Sequence, residues 1–468
     1  MTVSWRAAYA ASTMFVVRVV WASLFVLLAN TAGAQVDEER LRLMHETISY
    51  TDVIDARDGP DPLDVNVHIE YTRLRDTSTV YREQTSDDGV RGTHALAHSK
   101  RETSQLAIGV EVGLYRDLMT FVRMPLVLSE SRTLSLARGV TAEQAARVLG
   151  EGSAGQSALF TLPFAAPTRA GVDYIAVGGA WAILNQARRS WQPTWVLRFE
   201  GRRAVGKVLQ PCQQGTMTKT CGTLSSEDRD GDTYLDGTRS TNPHPGLSRG
   251  ISALLFETRF SRRLGRAEPY AGFSFLVEWP ALRTVAREAF QPDGYGRARP
   301  GSQSAGTLGL ALIPWENRGS YQRLVLDGRL AATYVGRGTD YSPLFDALGS
   351  TSDPTLSASR AGVNFRGLTE LEAYLRYGGQ VSLEIQAARY VRFGIGSWLQ
   401  WATDHAITGR DPCRGPKRDN AAEAADGRVC SGGKPDARER GVIDALGRRF
   451  ILRDQLMLGV YAQATATF

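Results

Sequence analysis

The stretch Val460 to Phe468, which reads VYAQATATF, decides the fold of this 468-residue chain. Its apolar members share one parity: Val460, Ala462, Ala464, Ala466 and Phe468. The polar or amphipathic members take the other: Tyr461, Gln463, Thr465 and Thr467. Because residues two apart in a strand point to the same face, this segment has one apolar face and one polar face. The alternation predicts a strand that separates an apolar environment from a polar one.

The same alternation recurs upstream, in Gln105 to Tyr115, Thr194 to Arg202, Glu268 to Trp279 and Gln380 to Gln386. Strands of soluble sandwiches usually have about 5 or 6 residues. A tilted strand that crosses a bilayer needs roughly 9 to 11. Segments of this length and pattern favour transmembrane strands, with lipid on one face and a polar interior on the other.

Counting these segments predicts an all-β fold, an antiparallel transmembrane β-barrel of about 12 strands. The strands are expected near 62–73, 103–115, 118–130, 171–184, 193–207, 248–261, 268–280, 304–314, 320–335, 369–387, 390–404 and 450–468. Ten or fourteen strands remain alternatives, because 369–404 divides in more than one way. The connections alternate between short turns and long loops. The long loops are expected to be extracellular, at 74–102, 131–170, 208–247, 281–303, 336–368 and 405–449.

The opposite end of the chain has the pattern of an export signal. Arg6 and Arg18 precede the apolar run Val19 to Leu28, and Ala32-Gly33-Ala34 fits cleavage before Gln35. The alternative is an anchoring helix, but the run is far shorter than the roughly 20 residues that a spanning helix needs. The predicted division is a signal peptide at 1–34, a periplasmic segment at 35–61 with a short helix near 38–47, and a barrel at 62–468.

Composition excludes some classes of protein. The formal charge is +6, and it falls to about +4 without residues 1–34, which hold two Arg and no acid. So small an excess of positive charge does not indicate a nucleic-acid-binding surface, and no nucleic-acid partner is expected. Mean hydropathy is −0.24, and no stretch after Leu28 is apolar over 18 residues, so a helical membrane protein is excluded.

A strand that ends on Phe468, behind a signal peptide, resembles the closing strand of bacterial outer-membrane β-barrel proteins. The resemblance implies residence in the outer membrane of a Gram-negative type envelope, contact with its lipid, and recognition of the last strand by barrel-assembly machinery, with Phe468 as the signal. The strand-turn-strand run at 112–126, VGLYRDLMTFVRMPL, is similar to transporter-like barrels of the phenol-degradation meta-pathway type. That likeness implies transport.

The four cysteines fall in two of the predicted external loops, and an even count in an exported chain suggests disulfides. The pairs expected are Cys212 with Cys221 and Cys413 with Cys430, since each lies within one loop. A zinc site is the alternative. It is disfavoured because paired zinc ligands are usually two to four residues apart.

A run of aspartates follows the first cysteine pair: Asp228, Asp230, Asp232 and Asp236. Carboxylates at relative positions 1, 3, 5 and 9 suit a hard cation such as calcium. The run resembles the calcium loops of thrombospondin type 3 repeats, over nine residues only. It departs from the EF-hand pattern, with Thr233 at the expected turn Gly and Arg239 at the expected Glu. The alternative is a solvated acidic loop.

The polar parity of the strands predicts a lumen lined by acids and Arg. The pore-lining residues expected are Glu111, Arg123, Arg198, Glu200, Arg202, Glu257, Arg259, Arg323, Asp327, Arg329, Glu384 and Arg392. The same parity adds Asp64, Asn66, His68, Glu70, Glu278, Glu372 and Arg376. Mixed charge suits a water-filled pore, with neither sign dominant. The alternative is a set of ion pairs that close a narrow barrel.

An enzyme is not expected. No G-x-S-x-G motif occurs, and no catalytic constellation assembles around the six His. His94 and His98, four apart in the first predicted loop, would chelate metal only if that loop were helical. In the next long loop, Thr141 and Gln144 form a capping box before an Ala-rich stretch. This predicts a short helix, either folded over the mouth or an external decoration.

Two functions follow from this interpretation. The first is an outer-membrane channel or transporter-like barrel for small polar or amphipathic solutes. The alternative is a non-conducting surface or adhesion barrel whose external loops are stapled by disulfides and hold calcium.

Overall fold

The computed structural model describes residues 47–54, 56, 64–85, 91–210, 212–214, 219–221, 246–281, 290, 298–351, 353–356, 365, 367–388, 390–414, 434–436 and 438–468. The predicted signal peptide and the aspartate run at 228–236 lie outside these ranges. So do Cys430, His45 and His244.

Within the described ranges, twelve long strands form the wall of the molecule. They are β1 Val65–Thr85, β2 Arg91–Tyr115, β3 Leu118–Leu136, β4 Tyr174–Leu184, β5 Thr194–Ala204, β6 Ile251–Ser261, β7 Ala267–Pro280, β8 Gln303–Asn317, β9 Gln322–Val335, β10 Tyr374–Ala388, β11 Val391–Ala402 and β12 Phe450–Thr467. Each pairs antiparallel with the next in sequence, and β12 pairs back onto β1 from Thr467 opposite Asn66 to Phe450 opposite Arg82. The sheet is therefore a closed barrel, and the predicted fold class and strand count are confirmed.

The first connection differs from the prediction. The sequence placed a long loop at 74–102, but β1 continues to Thr85 and β2 begins at Arg91. The two strands stay in register along almost their whole length, with one shift between Val80 and Tyr81. Thr, Ser and Val residues continue the strand pairing beyond the apolar stretch, because these residues favour a strand whether or not lipid covers it. The result is a long hairpin. His94 and His98 therefore lie in a strand, and the metal site that a helix would have formed with them is wrong.

The outer face of the wall is apolar over a continuous band. Several large side chains there are more than half exposed: Leu330, Val381, Phe199, Leu254, Ile395 and Val177. Aromatic residues mark both borders of the band. Those near the short turns are Tyr115, Trp181, Trp315 and Tyr390; those near the long loops are Tyr334, Tyr377 and Trp401. An apolar band between aromatic girdles is typical of a lipid-facing wall. Among the described residues, no helix has the length and apolarity to cross a membrane.

The long loops fold over one mouth of the barrel, and we call the described parts of 137–173, 336–368 and 403–449 the cap. Their apolar side chains form one core with the inner faces of β1, β2, β3 and β12. Members that are at most 1% exposed include Val80, Leu96, Leu149, Leu159, Leu344, Leu348, Ile407, Ile443 and Phe450. Burial of so many side chains away from water makes the cap a packed layer over the mouth.

Two buried arginines hold the cap together and attach it to the wall. Arg82 of β1 donates to the carbonyl oxygens of Val148 (2.6 Å), Glu151 (3.1 Å) and Val442 (2.8 Å), so it joins two loops to one strand. Arg169 and Asp346 form a two-fold ion pair between the 137–173 loop and the 336–368 loop, with contacts of 3.0 and 2.6 Å. Both side chains of this pair are almost fully buried. Paired buried charges of this kind fix geometry, because separating them leaves a charge without water.

The predicted capping box is present in the cap. Helix α1, Ala142–Gly150, begins after Thr141, whose side chain accepts from the Gln144 amide while the Gln144 side chain accepts from the Thr141 amide. Ala145 and Leu149 are buried in the core of the cap. The helix therefore folds over the mouth.

Candidate solute site in the barrel lumen

The end of the barrel opposite the cap is crossed by residues 47–54 and 56, which we call the lumenal segment. Arg323, at the start of β9, donates to the carbonyl of Thr47 (3.4 Å), and Ala56 exchanges backbone hydrogen bonds with Arg116 in the β2–β3 turn (2.8 and 3.1 Å). These two anchor points are about half the circumference apart. The segment therefore spans the lumen at the level of the short turns, which face the periplasm in barrels of this topology.

Polar contacts fix the segment along its length. Arg392 donates to Asp52 (3.1 Å) and to the hydroxyl of Ser49 (3.0 Å), and Thr51 shares a hydrogen bond with Ser261 (2.7 Å). Arg259 donates to the carbonyl of Tyr50 (2.9 Å). Apart from the backbone pair between Ala56 and Arg116, the segment is thus attached through side-chain contacts, which can break while the hydrogen-bond ladder of the barrel stays intact.

Packing adds to these contacts. Tyr50 lies against Tyr270 with ring centroids 4.6 Å apart, and the guanidinium groups of Arg259 and Arg329 lie over its ring at 5.0 and 5.3 Å. Its hydroxyl sits where Gly272 has no side chain, because a Cβ there would be 1.8 Å from that oxygen. A glycine is required at this close approach.

Above the segment lies a cavity of about 610 Å³, the lower cavity. Tyr50 forms part of its floor. The charged groups of its wall are Glu70, Glu257, Arg259, Asp327, Arg329 and Glu384. Both arginines are paired on the wall itself: Arg259 with Glu257 at 2.6 Å and Arg329 with Asp327 at 3.0 Å. Glu384 is paired with Arg392 at 3.5 Å, and Glu70 accepts from Thr72 at 3.0 Å. The lower cavity therefore combines mostly ion-paired charges, with carboxylates in excess over arginines, and aromatic rings, a lining suited to an amphipathic solute.

A second cavity of about 480 Å³, the upper cavity, lies beneath the cap. Its charged lining includes Asp76, Arg101, Glu130, Arg249, Asp340 and Arg376. Glu130 is paired with Arg101 and Arg132, both at 2.8 Å. His405 of the cap stacks on Tyr374 of β10 with 3.9 Å between ring centroids, and both side chains line this cavity. Arg376 was predicted from the inner parity. Parity counting did not find five others, because they lie in stretches that the sequence assigned to loops: Asp76, Arg101, Arg132, Asp340 and His405.

Gln105 and Trp398 line both cavities, so the two cavities meet at these side chains. Tyr461 stands beside this junction, where its hydroxyl accepts from Gln380 at 2.7 Å. Gly459 and Gly396 leave room for Trp398 and Tyr461, since a Cβ at either glycine would lie within 2.6 Å of the facing ring. Trp398 is therefore the side chain best placed to contact a solute that moves between the cavities.

The structure places the twelve predicted lining residues in four environments. Five of them line the lower cavity: Glu257, Arg259, Asp327, Arg329 and Glu384. Two contact the lumenal segment, Arg323 and Arg392, and Glu111 accepts from Asn66 at 3.3 Å on the inner wall.

The remaining four form an inner cross-link away from both described cavities. Glu200, 1% exposed, is paired with Arg123 (3.1 Å), Arg198 (3.2 Å) and Arg202 (2.6 Å). Arg198 also lies over the ring of Phe121 at 3.9 Å. Such a cluster favours the structural interpretation for these four residues, while a pore-lining role for the others stays a prediction.

The external sites remain predictions as well. The backbone at Cys212–Gln214 pairs antiparallel with Lys219–Cys221, and the register sets Cys212 opposite Cys221. Directly opposed residues of such a pair have Cα atoms roughly 4.5 to 5.5 Å apart, a separation that a disulfide spans. Over the described ranges, no group of three or more His, Cys, Asp or Glu side chains is arranged to hold a metal ion.

The closed wall, its apolar band and its girdles define the class of protein: the chain is an outer-membrane β-barrel. Residues of the inner parity face a polar lumen that contains both cavities. The outer parity includes Val460 and Phe468, 47% and 66% exposed, as the opening alternation predicts.

No protein-family model matches the chain, and no curated protein matches it. Among solved structures, it is similar to an outer membrane channel of Pseudomonas putida F1, at 9% identity over 88% of this chain and 100% of that one, with a TM-score of 0.38. A FadL homologue of Pseudomonas aeruginosa matches at 9% identity over 87% and 90%, with a TM-score of 0.33. The toluene transporter TodX of Pseudomonas putida matches at 9% identity over 91% and 96%, with a TM-score of 0.29. At such identities, the solutes of those proteins remain properties of those proteins.

Proposed function

We propose that the protein is a gated outer-membrane channel for small polar or amphipathic solutes. The observation that supports it is the pair of connected cavities inside the barrel, covered by the cap on one side and floored by the lumenal segment on the other. Cavities of about 480 and 610 Å³ fall within the range of roughly 300 to 1,000 Å³ that holds small ligands.

The two closures differ in a way that favours gating at the periplasmic end. The cap is a packed apolar layer, and its arginine contacts are almost fully shielded from water. Opening the cap would expose a large apolar core to water. The lumenal segment packs Ile48, Val53 and Ile54 into two apolar clusters that are much smaller than the core of the cap. Its ion pair is also less buried, since the side chains of Asp52 and Arg392 each keep 12% of their surface exposed. Elements with fewer buried apolar contacts open at lower cost. Release of the segment is therefore the proposed opening step.

The wall chemistry supports the solute class. Most charges that line the lower cavity are ion-paired, with carboxylates in excess over arginines, and the rings of Tyr50, Tyr461 and Trp398 lie between them. An amphipathic solute can place its apolar part on these rings and its polar part on the surrounding amides and carboxylates. A purely apolar solute would leave those polar groups desolvated and unpaired.

Planar-bilayer recording with solute block tests the proposal. The purified protein is expected to open in steps, and an amphipathic aromatic amine or acid added to the bath should shorten the open events. Trp398→Ala should weaken the block about tenfold, the effect expected for losing one aromatic contact of about 1.4 kcal/mol. Trp315→Ala is the matched control, since Trp315 lies on the lipid face with 48% of its surface exposed. A silent bilayer with verified insertion would refute the proposal.

The second candidate is the non-conducting surface barrel, and the packed cap favours it. This function predicts no openings from the wild type, and none after the lumenal segment is loosened. It makes the loops the functional part, with calcium proposed at 228–236 and disulfides proposed between Cys212 and Cys221 and between Cys413 and Cys430. Mass mapping of unreduced peptides would test both pairs, and a free thiol at either pair would exclude that disulfide.

A further inference from the structure

A basic patch stands on the outer wall, formed by Arg73, Arg75 and Lys100. Arg73 and Arg75 continue the outward face of β1 directly above Ile69 and Tyr71, which are 47% and 40% exposed in the apolar band. Both arginines are exposed, and the Lys100 side chain is 41% exposed. None of the three belongs to the lumen or the cap.

The register fixes what surrounds the patch. On β12, Arg73 and Arg75 lie opposite Val460 and Leu458, apolar side chains that are 47% and 45% exposed. On β2, Arg73 lies opposite Ser104 and Arg75 opposite Glu102. The arginines therefore sit at the upper edge of the lipid-facing band, at the depth of lipid headgroups rather than acyl chains.

The charge of the patch is not neutralised by the protein. Glu102 is the acidic residue within the patch, and it forms an ion pair with Lys100 at 2.9 Å. Over the described ranges, neither Arg73 nor Arg75 forms an ion pair. Three cations against one anion leave a net charge of about +2 on this face.

Hydroxyl groups extend the patch across β2 and β3. Ser104 lies opposite Ser129, Glu102 opposite Ser131, and Lys100 opposite Thr133. Guanidinium groups bind phosphate through two parallel hydrogen bonds, and flanking hydroxyls add donors for phosphate or sugar oxygens. Elsewhere the same border of the band carries the aromatic residues Tyr334, Tyr377 and Trp401.

We infer that this sector, β12–β1–β2–β3, binds the phosphorylated headgroup of an outer-leaflet lipid, with Arg73 and Arg75 on the phosphate and acyl chains against Leu458 and Val460. The short turns lie at the opposite end, which places the patch on the external side. The inference does not depend on what passes through the lumen. Its consequence is an oriented lipid contact beside the strand pair that closes the barrel.

Native mass spectrometry of the detergent-purified full chain, titrated with bisphosphorylated lipid A, tests the inference. Arg73→Gln with Arg75→Gln should weaken binding about tenfold, the loss expected from two exposed charge contacts of about 0.7 kcal/mol each. Arg203→Gln is the control, because Arg203 is also exposed on the outer wall but lies opposite Ile175 on β4. It should leave binding unchanged. Heat-modifiable gel mobility verifies that each variant is folded.

Two further probes separate phosphate from lipid. Lipid A without phosphates should bind the wild type about as weakly as the bisphosphorylated lipid binds the double variant. Millimolar inorganic phosphate should not displace the lipid, because it lacks the acyl contacts. Unchanged binding by the double variant, equal loss in the control, or displacement by inorganic phosphate would each overturn the inference.

Discussion

Asp52→Asn should raise the opening frequency of the channel. Asp52 holds the lumenal segment through Arg392 at 3.1 Å, and both side chains are 12% exposed. A hydrogen bond to a charged group contributes about 1.5 to 3 kcal/mol. Water screens the Asp52–Arg392 contact because both side chains keep some exposure, and Arg392 remains paired with Glu384 at 3.5 Å after the substitution. The free energy that holds the segment in place therefore falls by about 1 to 2 kcal/mol. The undocked fraction then rises about 5-fold to 30-fold.

The assay is the opening frequency in planar bilayers, paired with protease access to the lumenal segment in proteoliposomes. Both should rise by the same factor. The matched control is Glu316→Gln, which removes a carboxylate of similar exposure, 15%, paired with Arg263 at 2.8 Å at the same end of the barrel. A folded Asp52→Asn variant that opens no more often than wild type would refute the docking argument, as would an equal rise in the control.

A second variant reaches the same segment by a different route. Gly272→Ala places a methyl where the Tyr50 hydroxyl lies, at 1.8 Å, so Tyr50 must leave its position against Tyr270. Agreement between this packing change and the Asp52 charge change would show that the segment moves as a unit. Opposite effects would show that the two contacts act separately.

The remaining predictions concern the cap and its loops. Asp346→Asn leaves Arg169 buried without its counter-charge and should destabilise the cap by about 3 kcal/mol, seen as faster proteolysis of the cap while the barrel stays intact on a gel. Burial, together with the neighbouring carboxylates and against the opposing charge of Arg440, raises the pKa of Glu439 from 4.5 to about 7. The folded loop thus binds more protons than the unfolded one between these values, so its protection in hydrogen exchange should fall from about pH 5 to pH 7. Glu439→Gln should remove this pH dependence, and a variant with the wild-type profile would exclude Glu439 as its source. Chelation should speed cleavage within 228–236 if calcium is bound there, and an identical digestion pattern would count against the site.

The strands could be predicted from the sequence because lipid and water contact alternate residues of each strand. All twelve predicted segments overlap the observed strands, and the inward parity of Asp327, Arg329 and Glu384 follows from the period alone. The first loop was predicted wrongly because β1 and β2 stay paired above the membrane, where no lipid imposes an apolar alternation that would mark the strands.

The contacts inside the lumen could not be predicted from the sequence in this way. Asp52 and Arg392 are 340 residues apart, and Arg169 and Asp346 are 177 apart. No local period relates such pairs, since they meet only after the barrel has closed. The tetrad around Glu200 shows the same limit: parity placed all four side chains inside, but only the packing decides that they cross-link one another.

The sequence by itself determined the class of structure: an alternating chain of twelve strands, apolar outside and polar inside, because a bilayer forces each backbone polar group into a closed ladder. The alternation from Val460 to Phe468 carries that information in nine residues. Tertiary structure alone decided that the interior is a pair of cavities rather than an open pore. The lumenal segment and the cap are held there by long-range contacts, whose energies depend on distance and burial and not on sequence period.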